Sequence, residues 1–200
     1  MAKLESSLKN MILCLGLISI AMAAALGVVY SVTKDPIEQA QKQKEVQALK
    51  EVLPAFDNDP LENMKTEGEL ALYEALNQGQ PAGFAVKTYT DKGFSGRFTL
   101  MVGFKADGAV NNIVVLDQKE TPGLGTKMKE PKFKDQFLNL NISALKDHKL
   151  LVKKDGGTVD AISAATITSR AFCDAVQRAY DLYSKQNSGA QTDTLSTKGN

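Results

Sequence analysis

Between Lys9 and Lys34 the chain carries no charged side chain, and the stretch MILCLGLISIAMAAALGVVYSV inside that interval is apolar nearly throughout. Its 22 residues reach about 33 Å as a helix, enough to cross the hydrocarbon of a bilayer. Residues 10–33 are therefore expected to form a transmembrane anchor behind a short head, residues 1–9. Ala21-Met22-Ala23 matches a signal-peptide cleavage pattern, which is the competing reading. The apolar character continues past it through Leu26, Val28, Val29, Tyr30 and Val32, which a cleavable signal does not need, and this favours an uncleaved anchor.

After the anchor the period becomes helical and amphipathic. Asp35-Pro36 reads as a helix start, Ile37, Ala40, Val46, Leu49, Val52 and Leu53 fall near one side, and Pro54 ends the segment. This predicts a stalk helix over residues 34–56, packed on a domain, followed by a turn-rich connector at 57–65. From Gly83 the pattern changes to short β-rich runs. FTLMVGF and VNNIVVLD, joined across KADGA, predict a hairpin with Asp107-Gly108 in its turn, preceded by a strand in KTYTDKGFSG, with Gly96 placed for a bend. EPKFKDQF predicts a short helix. From Ile167 to Gln186 the apolar positions Ala171, Phe172, Val176, Ala179 and Tyr183 recur at helical spacing, which predicts a helix beginning close to Thr166, and the polar tail 186–200 is expected to be disordered. The fold class is α+β: a transmembrane helix, then an antiparallel-sheet domain over 57–185 flanked by helices.

Composition narrows the function. Lysine plus arginine (24) nearly balances aspartate plus glutamate (23), so the basic excess of a nucleic-acid binder is missing. The two cysteines, Cys14 and Cys173, cannot make a disulfide framework or a zinc site, and the lone His148 reads as a surface residue. Lysines lie on both sides of the span (Lys3 and Lys9 before it; Lys34, Lys42, Lys44 and Lys50 after), so charge counting does not fix the orientation. The nine-residue head looks like a signal anchor, which places the domain outside the cytoplasm.

Two stretches carry candidate chemistry. In KETPGLGTKMKEPKFKDQF, the Pro122-Gly123 and Gly125 positions give a loop whose amides can face a ligand, while Lys127, Lys129, Lys132 and Lys134 form a basic edge that reads as a solvated face. In VDAISAATITSRAF, the residues Ser163, Thr166, Thr168 and Ser169 crowd the start of a helix behind Asp160, padded by Ala164 and Ala165. Capping explains one such hydroxyl. Donor amides, hydroxyls and small neighbours at a helix N-terminus together suit a phosphate. The Walker pattern is absent, and no serine, cysteine or histidine constellation points to a hydrolase.

Asp160-Ala161-Ile162-Ser163-Ala164-Ala165-Thr166 resembles the flavinylation motif D-x-x-(S/T)-G-A-T of the FMN-binding domain family, and Glu120-Thr121-Pro122-Gly123-Leu124-Gly125 resembles that family's ETPGLG loop. The order of anchor, stalk, sheet, loop and threonine motif is similar to the G subunits of Rnf electron-transport complexes, over residues 1 to about 185. It is less close to the C subunits of sodium-translocating NADH:quinone reductases. The resemblance implies covalent FMN on Thr166 through a phosphoester, with Asp160, Ser163, Ala164, Ala165, Thr168, Ser169 and the residues Glu120, Thr121, Pro122, Gly123, Leu124 and Gly125 around it. It also implies a flavin transferase for maturation, the other membrane and redox subunits of the complex as partners, and a place in the inner membrane with the domain on the periplasmic side. The expected role is electron transfer within an ion-translocating ferredoxin:NAD+ oxidoreductase, without stand-alone catalysis. Ala164 stands where the family has glycine; a positive φ there costs an alanine on the order of 1 kcal/mol. Two readings of other classes stay open: a pilin-like structural protein, and an anchored module holding an anion noncovalently.

Overall fold

A computed structural model describes residues 8–196 of the chain, so the expected head is described only from Leu8 and the last four residues lie outside the described part. The chain divides into two units, residues 1–44 and 45–200. In the first, apolar side chains from Leu8 to Val32 are exposed all round the helix, and its apolar window has a mean hydropathy of 2.6 with none of it buried. A helix apolar on every face satisfies its backbone internally and suits lipid rather than water. It is long and apolar enough to cross a membrane.

The expected break at Pro36 is absent. Helix α1 runs Leu8–Val52 with Pro36 inside it. An interior proline costs about 3 kcal/mol by removing one hydrogen bond and crowding the preceding turn. The apolar run before it and the helix formers Glu38, Gln39, Ala40 and Gln41 after it outweigh that loss. The expected packing face is also shorter than the periodicity implies: Ile37 and Ala40 are exposed, and burial begins near Val46 and Ala48. As expected, the helix stops just before Pro54.

The second unit is built on a five-stranded antiparallel meander in chain order: β1 (Lys65–Glu67), β2 (Leu70–Asn77), β3 (Gln80–Gly93), β4 (Gly96–Lys105) and β5 (Val110–Asp117). The predicted hairpin is β4–β5. Gly108 takes φ 83° at its turn, and the Asp107 carboxylate accepts from the Ala109 amide at 3.0 Å. Residues 57–65 are not connector alone, since Lys65 opens β1, and β2 is a strand that the sequence pattern does not announce.

Alternation along the strands divides the core in two. One face presents Ala71, Tyr73, Ala75, Ala85 and Met101, covered by Ala48, Leu49, Val52 and Leu53 from the end of α1. Gly103 makes this possible, because a Cβ there would run into the Val52 carbonyl. The orphan carbonyls at the helix end are taken up by β5: Asn111 Nδ2 donates to the Val52 oxygen at 2.8 Å and Asn112 Nδ2 to the Glu51 oxygen at 3.1 Å.

The other face presents Leu72, Val86, Phe98, Leu100, Val102, Phe104 and Ile113 to the last helix. All five periodic apolar residues predicted for that helix are buried. This helix, α3, runs Thr166–Ser196 and so continues well past Gln186, into the segment expected to be disordered. Between β5 and α3 the chain makes short helical turns, among them α2 (Pro131–Lys134) where EPKFKDQF predicts one. Phe133 and Phe137 anchor this segment on Phe172 of α3, with ring centroids 5.2 and 4.9 Å apart. Cys173 lies beside them in the core, where burial pushes its thiol up to about 12, far from any nucleophilic role.

Candidate functional site

The loop after β5 and the start of α3 come together through one buried carboxylate. Glu120 is 4% exposed. Its Oε2 accepts from the Thr168 hydroxyl at 2.6 Å, and its Oε1 accepts from the Ser95 amide at 3.0 Å in the β3–β4 turn. Three segments distant in sequence are thereby fixed to one group. Gly125 lets the loop close over it, since a Cβ at that position would fall 2.7 Å from the Glu120 Cβ and 3.0 Å from the Thr168 hydroxyl oxygen.

The hydroxyls at the helix start then separate into distinct roles. Ser169 is buried and structural: its hydroxyl donates to the Ala165 carbonyl at 3.0 Å and accepts from the Ile162 amide at 2.9 Å. Thr168 is committed to Glu120. Ser163 is exposed and lines a neighbouring cleft with Asp160. Asp160 itself faces Lys153 at 2.7 Å, and its backbone exchanges hydrogen bonds with the Gln136 amide group at 2.7 and 3.2 Å. Thr166, first residue of α3, is half-buried, and its hydroxyl accepts from Lys154 Nζ at 3.2 Å.

Thr166 opens into a cleft of about 300 Å³ lined by Phe94, Glu120, Thr121, Leu124, Gly125, Ala164, Ala165, Thr166, Ile167 and Thr168. Both predicted motifs thus meet at one cavity. Pro122 and Gly123 are exposed at the loop tip, where the Gly123 amide donates to the Thr126 hydroxyl at 2.9 Å. The rim is apolar and open: Phe94 is 67% exposed, Ile167 49% and Leu124 40%. Large apolar side chains gathered round a cleft in this way mark a surface meant to be covered.

Sequence reasoning missed Phe94, Ile167 and Lys154. An aromatic at a glycine-flanked hairpin tip, and an isoleucine off the core face of the last helix, were available signals. Lys154 gave none, because its approach to Thr166 depends on how the turn at 153–157 folds back.

Ala164 has φ 61°, in the left-handed region that penalises an alanine. The strain anticipated at this position is therefore present. Ala164→Gly is expected to stabilise the protein by about 0.5–1 kcal/mol, the relief of strain exceeding the extra chain entropy of glycine. Thermal unfolding followed by circular dichroism should show a midpoint higher by about 2 °C.

Comparison with known proteins places these features in context. A model of the FMN-binding domain matches residues 93–181, the interval that contains both motifs, and a model described as the RnfG N-terminal region matches residues 1–52. The G subunit of the ion-translocating oxidoreductase complex of Aliivibrio fischeri is 32% identical, the alignment covering 94% of this chain and 95% of that one. The protein of the same name from Methanosarcina acetivorans is 31% identical over 91% of this chain and 97% of its own. Among solved structures, Shewanella oneidensis NqrC aligns with a TM-score of 0.44 at 24% identity, covering 64% of this chain and 61% of that one.

Proposed function

Because the chain belongs to the family of G subunits of ion-translocating oxidoreductase complexes, and carries that family's FMN-binding domain, we propose that it holds FMN covalently on Thr166 and transfers electrons within such a complex. The carrying observation is that Thr166 alone of the four motif hydroxyls lies on the cleft without being spent on the fold. The cleft suits the group at both ends. The amides and hydroxyl at the start of α3 match a phosphate, while Phe94, Leu124 and Ile167 offer apolar cover for a flat ring system.

Thr166 Oγ forms the phosphoester bond while the pyrophosphate bond of FAD breaks. AMP leaves, and the hydroxyl proton passes to a base of a separate flavin transferase. A separate enzyme supplies that base because, among the described residues of the cleft, the carboxylate of Glu120 is held by the Thr168 hydroxyl and the Ser95 amide, and no histidine or thiolate stands beside Thr166. When bound, FMN supplies the redox chemistry, and the protein orients and encloses it. In this reading the N-terminal helix anchors the domain on the periplasmic face of the inner membrane, among the other subunits of a ferredoxin:NAD+ oxidoreductase. Covalent attachment there prevents loss of a cofactor that could not be recovered.

The test is to express the full chain with a flavin transferase, denature it, and examine the protein band for flavin fluorescence. Fluorescence that persists supports covalent attachment. A dark band, with the transferase active on another acceptor, removes Thr166 as the attachment site, and flavin released on denaturation would point to noncovalent binding instead.

A further inference from the structure

The turn that precedes the threonine motif holds three consecutive charged residues, Lys153, Lys154 and Asp155, and it is fixed in place. Val152 pairs with Val159, the Lys153 amide donates to the Val159 carbonyl at 2.8 Å, and Gly157 folds against Leu151. Two of the three charges close on opposite charges nearby. Lys153 Nζ meets Asp160 at 2.7 Å, and Asp155 receives two bonds from the Arg170 guanidinium, each 2.7 Å, which hold its carboxyl below the usual carboxylate range. Between them, the bond formed by Lys154 Nζ goes to the Thr166 hydroxyl at 3.2 Å.

This puts a lysine ammonium at the end of α3 where the helix dipole and the free amides are already positive. The Lys153–Asp160 and Arg170–Asp155 pairs balance their own charges, so the ammonium of Lys154, which also lies in the field of Asp155, adds a further positive charge beside the Thr166 oxygen. Such an arrangement is unfavourable alone and becomes favourable when an anion arrives.

We propose that Lys154 assists phosphoester formation on Thr166 and then pairs with the phosphate; this rests on Thr166 being the attachment site. As an obligate donor the ammonium occupies a lone pair of Oγ, so the hydroxyl proton points away towards an external base. As that proton leaves, the ammonium stabilises the developing alkoxide. As the P–O bond to Oγ forms and AMP departs, it balances charge on the non-bridging oxygens.

The test uses the full chain in detergent, an active flavin transferase and excess FAD, following flavin bound to denatured protein over time. Lys154 is exposed, so its substitution should leave the melting temperature unchanged. Lys154→Met should slow incorporation on the order of tenfold, and Lys154→Arg, which keeps the charge, should restore a rate near the parent's. Driven to full loading, Lys154→Met should also give a phosphodiester 31P resonance displaced from that of the parent, a change that loss of packing elsewhere would not cause. A bright parent with an equally fast Lys154→Met, or with Arg and Met equally slow and both less stable, overturns the lysine's role alone. A dark parent overturns the attachment site and this inference with it.

Discussion

Thr166→Ala should abolish covalent flavin on the protein while leaving the fold intact, and Thr166→Ser should retain it. The other hydroxyls make the contrast informative. Ser169→Ala removes both an acceptor for the buried Ile162 amide and a donor to the Ala165 carbonyl, so its effect falls on stability. Thr168→Ala leaves one oxygen of buried Glu120 without its donor and does the same. Thr166 is half-buried at the first position of a helix, where losing the hydroxyl changes stability by roughly 0.5 kcal/mol or less. Loss of attachment in that variant therefore reports chemistry. The measurement is fluorescence of the denatured band in these four variants and in Ser163→Ala, beside their melting curves. Attachment that survives Thr166→Ala and fails in Ser163→Ala would move the site to the neighbouring cleft, where Ser163 and Asp160 lie.

The elements that could be read from the sequence are those that carry a local signal of their own. The β4–β5 hairpin has a turn signal, and α3 buries a single stripe, so both were visible. Strand β2 was not: like β4 it is buried on both sides, with Leu72 facing the α3 core and Ala71, Tyr73 and Ala75 facing the end of α1, but it lacks the β-rich run and the Asp-Gly turn that mark β4. Alternation disappears in such a strand, and LALYEALN is rich in helix formers. The proline rule misplaced the start of the second helix because local propensity on either side of Pro36 outweighed one lost bond. At the site, the motif residues were legible and their grouping was not. Nothing local says that Glu120 reaches Thr168, that Asp160 and Ser163 turn to a second cleft, or that Lys154 reaches Thr166.

The second large effect is expected at Glu120. A buried carboxylate usually costs stability, since desolvating the charge must be offset by what it binds. Here both oxygens are occupied, and their donors belong to the β3–β4 turn and to α3, while the Glu120 amide donates to the Gln118 side chain at 2.6 Å. Glu120→Ala strands the Ser95 amide and the Thr168 hydroxyl and leaves a void beneath Gly125. A loss of about 3 kcal/mol follows, a fall in melting temperature of about 6–12 °C. Glu120→Gln keeps the shape and one acceptor. Its amide can donate to the Thr168 oxygen if that hydroxyl turns, so it should lose only about 1–1.5 kcal/mol. Thr168→Val removes the donor from the other side, and the double variant with Glu120→Gln should lose less than the sum of the two, with a coupling of about 1 kcal/mol. Hydrogen exchange at residues 121–126 should rise in Glu120→Ala ahead of the rest of the domain, because the loop loses its tie to α3 while the two cores stay packed. An alanine variant as stable as the parent would show that the carboxylate contributes nothing net to the fold, and its burial would then have to be explained by the ligand in the cleft.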